Sequence, residues 1–511
     1  MKLFSTSQIK ELDRYTIEHE PISSVDLMER AAHALANRFI CDFPKTFPVF
    51  VVAGPGNNGG DGLALARILL TNGYGVHTVL LHSGKLSSDC EINRNRLKSA
   101  NNELFAEMPG CFCPPVISSE TIVVDALFGS GLSRSLDGVY AQAVEWINDS
   151  GCRVVSVDIP SGLDGDRFID EGQPVVKATF TYTLQFPKRA FFFADSASFA
   201  GKYSVLDIGI QPQVIENTLS DFILTTEDVV RPFIKVRSRF SHKGTFGHAL
   251  LVAGSKGMAG ASVLAGKAAL RAGAGLVTVH GPECNRAIVQ TAVPEAIFSA
   301  DTDAEIITNI PNPGKYDVLG IGSGIGTNAE TEIFLQDFLL KSKKSCVFDA
   351  DALNLIAKNK DGLNDLPPLS VLTPHPLEFE RLFGESRSVS DRVELARQSA
   401  AKYNVVIVLK GAHTAVVLPE GKVYINTTGN SGLSTAGTGD VLTGIITGLL
   451  AQGYSSAKAA IAGVYLHGLA ADLALERESE ESLIASDVIS WLGAAFHVVS
   501  GGKKQSGQTR V

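Results

Sequence analysis

Short runs built almost wholly of Val, Ile, Leu and Ala recur along this chain: VFVVA at 49–53, TIVVD at 121–125, RVVSVD at 153–158, DVLG at 317–320, CVFD at 346–349 and VVIVL at 405–409. Successive side chains of a strand point to opposite faces, so a strand apolar at every position has no face left for water. Such strands belong in a parallel sheet covered on both sides, and the segments between them supply the covering helices. The reading is α/β throughout.

The alternation occurs twice. The first half opens with helix-like segments at about 7–18 and 24–39, the second carrying Leu27, Ala31, Ala32, Leu35 and Ala36 on one face. Strand 48–53, the loop GPGNNGGDG and a helix at 63–70 follow. Strand 76–81, helix 89–99, strand 121–125, helix 139–148 and strand 153–158 continue the pattern, and β-rich segments near 177–193 and 202–207 close it. Residues 211–243 lack a clear period and read as a connection, with the boundary near 220–235. The second half restarts with a strand at 248–253 and a helix at 258–272. Strands at 276–280, 317–320, 346–349, 370–373 and 405–409 follow, then a polar β-pair at 414–418 and 422–426, then helices at 439–452, 456–474 and 485–498. The expectation is two three-layer α/β/α domains, 1–220 and 235–500, with 501–511 a disordered tail. The halves show no clear sequence repeat of one another.

Composition bounds the function. With 45% hydrophobic and 19% charged residues the 511-residue chain fits a well-buried globular enzyme too long for one core. The net charge of −9, with Lys and Arg scattered, offers no stripe for nucleic acid or an anionic membrane. Seven widely spread cysteines read as free thiols of a reducing compartment; Cys111 and Cys113 alone make a weak metal signal. The charged start MKLFSTSQIKELDRY is no signal peptide, and no apolar run reaches membrane-spanning length, so a cytoplasmic chain is expected.

Residues 431–453 read SGLSTAGTGDVLTGIITGLLAQG. A loop of small residues opens an apolar helix, with Asp440 in its first turn. The amides of Ala436, Gly437, Thr438 and Gly439 can meet a phosphate at the positive end of the helix dipole. Asp440 then stands where it can take a proton from an attacking hydroxyl. Val441, Leu442, Ile445, Ile446, Leu449 and Leu450 pack the helix, and Gly444 and Gly448 admit close neighbours on a second face. Asp349 and Asp351 flank a strand end, where capping and catalysis are equally open. His375 lies between Pro374 and Pro376 at a turn, with helix capping the plainer alternative. KGAHT at 410–414 ends a buried strand. In the first half, three loops gather at one sheet edge: GPGNNGGDG at 54–62, LFGSGLSR at 127–134 after Asp125, and DIPSGLDGD at 158–166. The first lacks the spacing of a dinucleotide fingerprint. Asn58, Asp125 and Ser161 can supply oxygens to a hard cation.

These motifs carry a resemblance. GPGNNGGDGL, VDALFGSGL and VDIPSGLDGD resemble the signature loops of the NAD(P)HX epimerase domain, over about 1–215. The resemblance implies a Rossmann-like fold that inverts the hydroxyl-bearing carbon of hydrated NADH or NADPH. It implies that Asn57, Asn58, Gly59, Gly60 and Asp61, with Gly129, Ser130, Gly131, Leu132, Ser133, Arg134 and Ser135, contact the hydrated nucleotide. It also implies potassium on Asn58, Asp125 and Ser161, and Asp158 as the catalytic and substrate-binding acid. Arg134 stands where the family often has lysine; it can hold a phosphate but is a poor proton donor.

The second half resembles the ADP- or ATP-dependent NAD(P)H-hydrate dehydratase, a ribokinase-like fold, over about 235–500. KGTFGHALLVAGSKGMAGAS, GIGSGIG, DADALN, LTPHPLEFERL, LKGAHT and the 431–453 loop occur in one order. The resemblance implies that Lys410, Gly411, Ala412, His413, Thr414 and Gly439 hold the adenine nucleotide, with magnesium. It implies that Ala261, Gly324, His375 and Asp440 hold hydrated NADH or NADPH (NADHX, NADPHX). The implied enzyme is bifunctional and homo-oligomeric, a tetramer or larger, with ADP as co-substrate. One rival is a ribokinase-class kinase for a vitamin alcohol fused to a nucleotide-binding module. A second treats the N-terminal half as a binding scaffold.

Overall fold

In the computed structural model the described residues are 1–100, 103–132, 135–167 and 172–501. By internal contacts the chain divides into two compact units. One is Leu3–Ser220 with Ser388–Ser390; the other is Asp221–Arg387 with the chain from Asp391 and residues Met1–Lys2.

The N-terminal unit is built on a seven-stranded, wholly parallel sheet. Across it lie Phe105–Pro109, Val76–His82, Val49–Ala53, Ile122–Ala126, Arg153–Val157, Phe180–Leu184 and Lys202–Leu206. The chain thus starts in the middle, winds to one edge, returns, and winds to the other. The reversal falls between Val49–Ala53 and Ile122–Ala126, where Val49 pairs with both Val76 and Ile122. A crevice opens at such a switch point, outside the carboxyl ends of the two strands. The two faces bury different residues of the same strand. Val49 and Val51 pack with Leu35, Phe39, Leu65 and Leu69, whereas Phe50 and Val52 pack with Val144 and Ile147. Burial on both sides is why the strand reads as an unbroken apolar run.

The C-terminal unit repeats that winding. Its parallel strands run in the order Ile297–Ala300, Leu276–Gly281, His248–Val252, Val318–Ile321, Cys346–Phe348, Val371–Leu372 and Val406–Leu409. The switch point lies between His248–Val252 and Val318–Ile321. Ala415–Val417 and Val423–Asn426 then add antiparallel, and Phe222–Thr225 adds parallel beyond them. Met1 and Leu224 exchange backbone hydrogen bonds at the outer edge. The helix Thr438–Ala451 crosses close over Ala259–Arg271: a Cβ on Gly444 would lie 2.3 Å from the Ala265 carbonyl oxygen. Behind it, Ile445, Ile446 and Leu449 share a core with Ala460, Leu466, Val488 and Leu492 of the two last helices.

Four expectations need correction. The helix placed at 63–70 begins at Asn57, so NNGGDG is its first turns and not a loop. Glycine is a poor helix former, but a Cβ on Gly59 would lie 1.8 Å from the Gly54 carbonyl oxygen and one on Gly62 2.4 Å from the Ala126 Cβ. The glycines let the helix start lie against the strand ends. The β-pair taken as polar is buried inside the sheet, with Val416, Val417, Val423 and Ile425 covered. Residues 222–225, taken as connection, are a sheet strand. Phe105–Pro109 and Ile297–Ala300 are strands without an expected counterpart. Each is half exposed at a sheet edge and lacks the continuous apolar run that marks a central strand. The tail beyond residue 501 lies outside the described residues.

Candidate functional site

At the N-terminal switch point, Asp125 stands next to the end of its strand, fully buried. Its oxygens accept from Ser156 Oγ at 2.8 Å, Ser161 Oγ at 2.5 Å, Ser161 N at 2.9 Å and Leu127 N at 3.3 Å. Burial raises its pKa, and these donors pull it partly back. Ser161 Oγ also lies 3.1 Å from Phe128 O, so a carboxylate, a hydroxyl and a carbonyl oxygen meet at one place. Asn58 is buried on the facing helix against Gly129, where an added Cβ would lie 3.2 Å from Asn58 Oδ1. Asn58 Nδ2 is buried without a hydrogen-bond partner.

Asp158 follows Arg153–Val157 in the left-handed region, at φ +64°. Its Oδ1 accepts from Lys188 Nζ at 2.6 Å and Leu184 N at 3.1 Å. Lys188 is 1% exposed, and its ammonium also donates to Thr183 Oγ1 at 2.9 Å and Phe186 O at 3.1 Å. Three acceptors use its three protons. Asp61, in the third turn-forming position after Asn58, is pushed well above the ordinary carboxylate range by burial, then by Asp158, Asp13 and Asp89. Asp13 is pushed up to about 6 by burial and by Asp158, against the pull of Lys188. The site is therefore an acidic cluster around one buried cation. Neither Asp13 nor Lys188 was expected from sequence; a lysine inside the apolar stretch QFPKRAFFF was the one available signal.

Other expected residues fall around this cluster. Asn57 is exposed on the helix mouth, whereas Gly59 and Gly60 are buried against Gly54 and Met28. Ser130 and Gly131 form a turn, Leu132 packs on the core beneath it, and Ser135 is exposed. Ser133 and Arg134 lie outside the described residues.

The C-terminal switch point gathers the second set. Gly254 N donates to Ser323 O at 2.8 Å. Gly324 turns at φ +66° with room for a Cβ only 3.0 Å from the Ala261 Cβ. Two expected dinucleotide residues, Ala261 and Gly324, are thus side by side. The helix Thr438–Ala451 starts after Gly437, at φ +92°. Thr438 Oγ1 lies 2.9 Å from Leu433 O and 3.0 Å from Thr435 O, which cinches the loop behind it. Buried His467 is held neutral, its pKa lowered to about 4 by burial. Its Nε2–H donates to Thr438 O at 3.0 Å. At this start Val441 N donates to Gly437 O at 3.1 Å; the N–H groups before it belong to those a helix start leaves open toward an anion.

Asp440 is half-buried there. Burial, then Asp349, push its carboxyl up to about 6, with Asp351 adding and the Ser323 hydroxyl and Lys410 ammonium drawing it back. Lys410 does not lie on the surface. Its Nζ lies 3.0 Å from Asp349 Oδ1 and 3.8 Å from Glu378 Oε2. Burial opposes its charge, but Asp349 and Glu378 overcome that and raise its pKa. Gly439 covers it: a Cβ there would lie 3.7 Å from Lys410 Nζ and 3.8 Å from Asp349 Oδ2. Gly411, Ala412, His413 and Thr414 form the adjoining turn, closed by the Thr414 hydroxyl on Gly411 O at 3.1 Å; His413 Nδ1 lies 3.0 Å from Asn426 O. His375 caps the helix Pro376–Phe383, accepting from Glu378 N at 3.3 Å, while its side chain stays 44% exposed. Ala436 is exposed on the loop. The arrangement joins a half-buried carboxyl, a half-buried cation and an open helix start, the kinds of group that phosphoryl transfer needs.

Cys111 and Cys113 are exposed free thiols. Among the described residues no group of three or more His, Cys, Asp or Glu side chains is placed to hold a metal ion. No helix there is long and apolar enough to cross a membrane.

Comparison with known proteins separates the halves in the same way. Residues 249–492 match the family model described as NAD(P)H-hydrate dehydratase, and 24–190 match the one described as YjeF-related protein N-terminus. The chain is 35% identical over 510 residues to a bifunctional NAD(P)H-hydrate repair enzyme of Moorella thermoacetica, covering 96% of each. It is 34% identical over 472 residues to that of Escherichia coli, covering 91% of this chain and 88% of the other. Among solved structures it is similar to the ADP/ATP-dependent NAD(P)H-hydrate dehydratase of Bacillus subtilis co-crystallised with ATP and Mg2+. The identity is 33%, with 54% of this chain and 98% of that one covered, at a TM-score of 0.47.

Proposed function

The chain belongs to the bifunctional NAD(P)H-hydrate repair enzymes, and on that premise we propose which of its residues carry each of the two reactions. It interconverts the R and S forms of NADHX and NADPHX in the N-terminal unit. It dehydrates the S form to NADH or NADPH, coupled to nucleotide cleavage, in the C-terminal unit. The full-length relatives do not favour the vitamin-alcohol kinase reading.

In the C-terminal unit Asp440 takes the proton of the substrate hydroxyl. The freed oxygen attacks the terminal phosphorus of ADP, which brings its own magnesium. The N–H groups at Gly437–Asp440 and the Lys410 ammonium face the charge that develops on the phosphoryl oxygens. Phosphate then leaves the ring carbon, pushed by the ring nitrogen lone pair, and proton loss restores the dihydronicotinamide. The products are AMP and phosphate. Ala261, Gly324 and His375 flank the hydrated nicotinamide nucleotide, and Lys410–Thr414 with Gly439 the adenine nucleotide. The observation that carries this reading is one carboxyl, Asp440, raised to about 6 in the first turn of a helix that opens on a glycine loop.

In the N-terminal unit Asp158 moves the proton as the bond between the ring carbon and its hydroxyl opens and closes. Asn57–Asp61 and Gly129–Leu132 frame the nucleotide. The Asn58, Asp125 and Ser161 oxygens fit a potassium ion: the donors are hard, and the Ser161 hydroxyl brings the Asp125 carboxylate and the Phe128 carbonyl oxygen together. Such an ion would supply fixed positive charge beside the loops proposed to meet the phosphates. The same reading places the enzyme in the cytoplasm, in keeping with its free cysteines. It also makes it a homo-oligomer of four or more chains, for which the exposed Ile333 and Leu340, at 66% and 63%, offer apolar surface.

The test is direct. The protein is mixed with both epimers of NADHX and ADP, and restored NADH absorbance is followed together with AMP. Equal yields of NADH and AMP, with both epimers consumed, are expected. A stable phosphorylated product instead of free phosphate overturns the dehydratase assignment.

A further inference from the structure

Asp349 lies outside every group of residues assigned above to a ligand, yet it is the point where the C-terminal site is tied together. It directly follows the strand Cys346–Phe348 and is 1% exposed. An ionised carboxylate that far from water must be matched by donors, and three elements supply them. Lys410 Nζ, from the end of Val406–Leu409, donates to Oδ1 at 3.0 Å. Thr373 Oγ1, beyond the end of Val371–Leu372, donates to the same oxygen at 2.7 Å. Thr443 Oγ1, on the catalytic helix, donates to Oδ2 at 2.8 Å. Thr443 is three residues after Asp440, so both side chains stand on one helix face. Gly439, one residue before Asp440, passes directly over the ion pair.

We propose that Asp349 is a positioning residue for the dehydration: its buried carboxylate pins the Lys410 ammonium beneath Gly439 and, through Thr443, holds the helix face that carries Asp440. The proposal rests on reading Asp440 as the base. Asp349 touches neither substrate in this role. It sets where Lys410 stands relative to the phosphoryl group, and its negative charge keeps the proton affinity of Asp440 high. The charged groups facing Asp440 are Asp349, Asp351 and Lys410, with Glu378 acting on Lys410 from the helix Pro376–Phe383.

The experiment measures dehydration of S-NADHX with ADP across pH, using the full chain and the denaturant transition of its C-terminal unit as the folding control. Asp349→Asn removes a like charge from beside Asp440 and leaves Lys410 with Glu378, at 3.8 Å, as its remaining counter-charge; both changes favour the ionised base. The acid limb of kcat/KM is expected to move down by at least about half a pH unit while plateau kcat falls roughly tenfold or more. Thr443→Val is expected to lower kcat severalfold with KM for ADP little changed, and Thr443→Ser to restore it. An unmoved acid limb in a folded Asp349→Asn protein overturns the proposal, even where kcat falls. If that variant loses its fold, the Thr443 pair decides: a valine variant as active as the parent overturns it equally. Asp440→Asn is run beside them. Retained dehydration there sinks the reading of Asp440, whereas its loss with an unmoved Asp349→Asn profile sinks only the present inference.

Discussion

Asp158 and Asp440 meet their neighbourhoods in different ways. Asp158 is bonded at 2.6 Å to an ammonium that water does not reach. Asp440 shares its site with a second carboxylate, Asp349, and its carboxyl is pushed up to about 6. A base must be ionised to act, so dehydration should be lost as pH falls through that value. The expected kcat/KM profile, at saturating ADP, is flat above about pH 7 and falls tenfold per unit below about 6; a limb near the usual carboxylate range would show that Asp440 is not the group titrating. For Asp158 the informative change is at its partner. Lys188→Met removes three hydrogen bonds and leaves a carboxylate, 14% exposed, without its cation. A loss of about 3–5 kcal/mol is expected in the denaturant transition of the N-terminal unit, together with loss of epimerisation. These two residues also mark what a sequence conveys. Asp440 stands in a local pattern of loop, acid and apolar helix that can be read without a fold. Lys188 is remote from Asp158 along the chain, and only the pairing of Arg153–Val157 with Phe180–Leu184 brings them together. Asp13 was hidden for the same reason.

At the scale of elements, close packing of small residues decides most of the geometry. The helices Thr438–Ala451 and Ala259–Arg271 approach so nearly that a Cβ on Gly444 would lie 2.3 Å from Ala265 O, and one on Gly448 2.6 Å from Ala269 O. Gly444→Ala cannot be absorbed by a side-chain rotation because the obstacle is backbone. It should cost about 1–3 kcal/mol in unfolding of the C-terminal unit and raise KM for both dehydratase substrates, since the two helix starts line one site. Gly437→Ala meets a softer obstacle, Leu264 Cδ1 at 2.5 Å, but at φ +92° it also strains the backbone. Weaker ADP binding with a smaller loss of stability is the expected outcome, read by calorimetric titration and thermal melting. The glycine pattern was legible here, and so were the central strands, because burial on both faces leaves an unbroken apolar run. It misled at Asn57–Gly62, where glycines that serve a helix laid on strand ends look like a loop. The strand Phe222–Thr225 was missed since its pairing partner, Val423–Asn426, is far along the chain.

At the scale of the whole molecule, the same winding order is used twice, each time with the acid proposed as reactive near the carboxyl ends of the strands. Each unit has its own hydrophobic cores and its own charged network, so the two activities should be separable by single substitutions. Additivity is expected for sites with no shared partner. Asp440→Asn should abolish nucleotide-dependent dehydration and leave interconversion of the epimers at the parent rate, as measured by chromatography of R and S forms. Asp158→Asn should do the reverse, and its effect on a mixed pool is diagnostic. With ADP present, the S form there at the start should be consumed at the parent rate, after which the R form persists and NADH production stops short, apart from slow spontaneous epimerisation. Added parent protein carrying Asp440→Asn should then restart it, because the missing step is supplied in solution. If Asp158→Asn also slows the first phase, or if Asp440→Asn also slows epimerisation, the two acids are not independent, and the division of labour between the units fails.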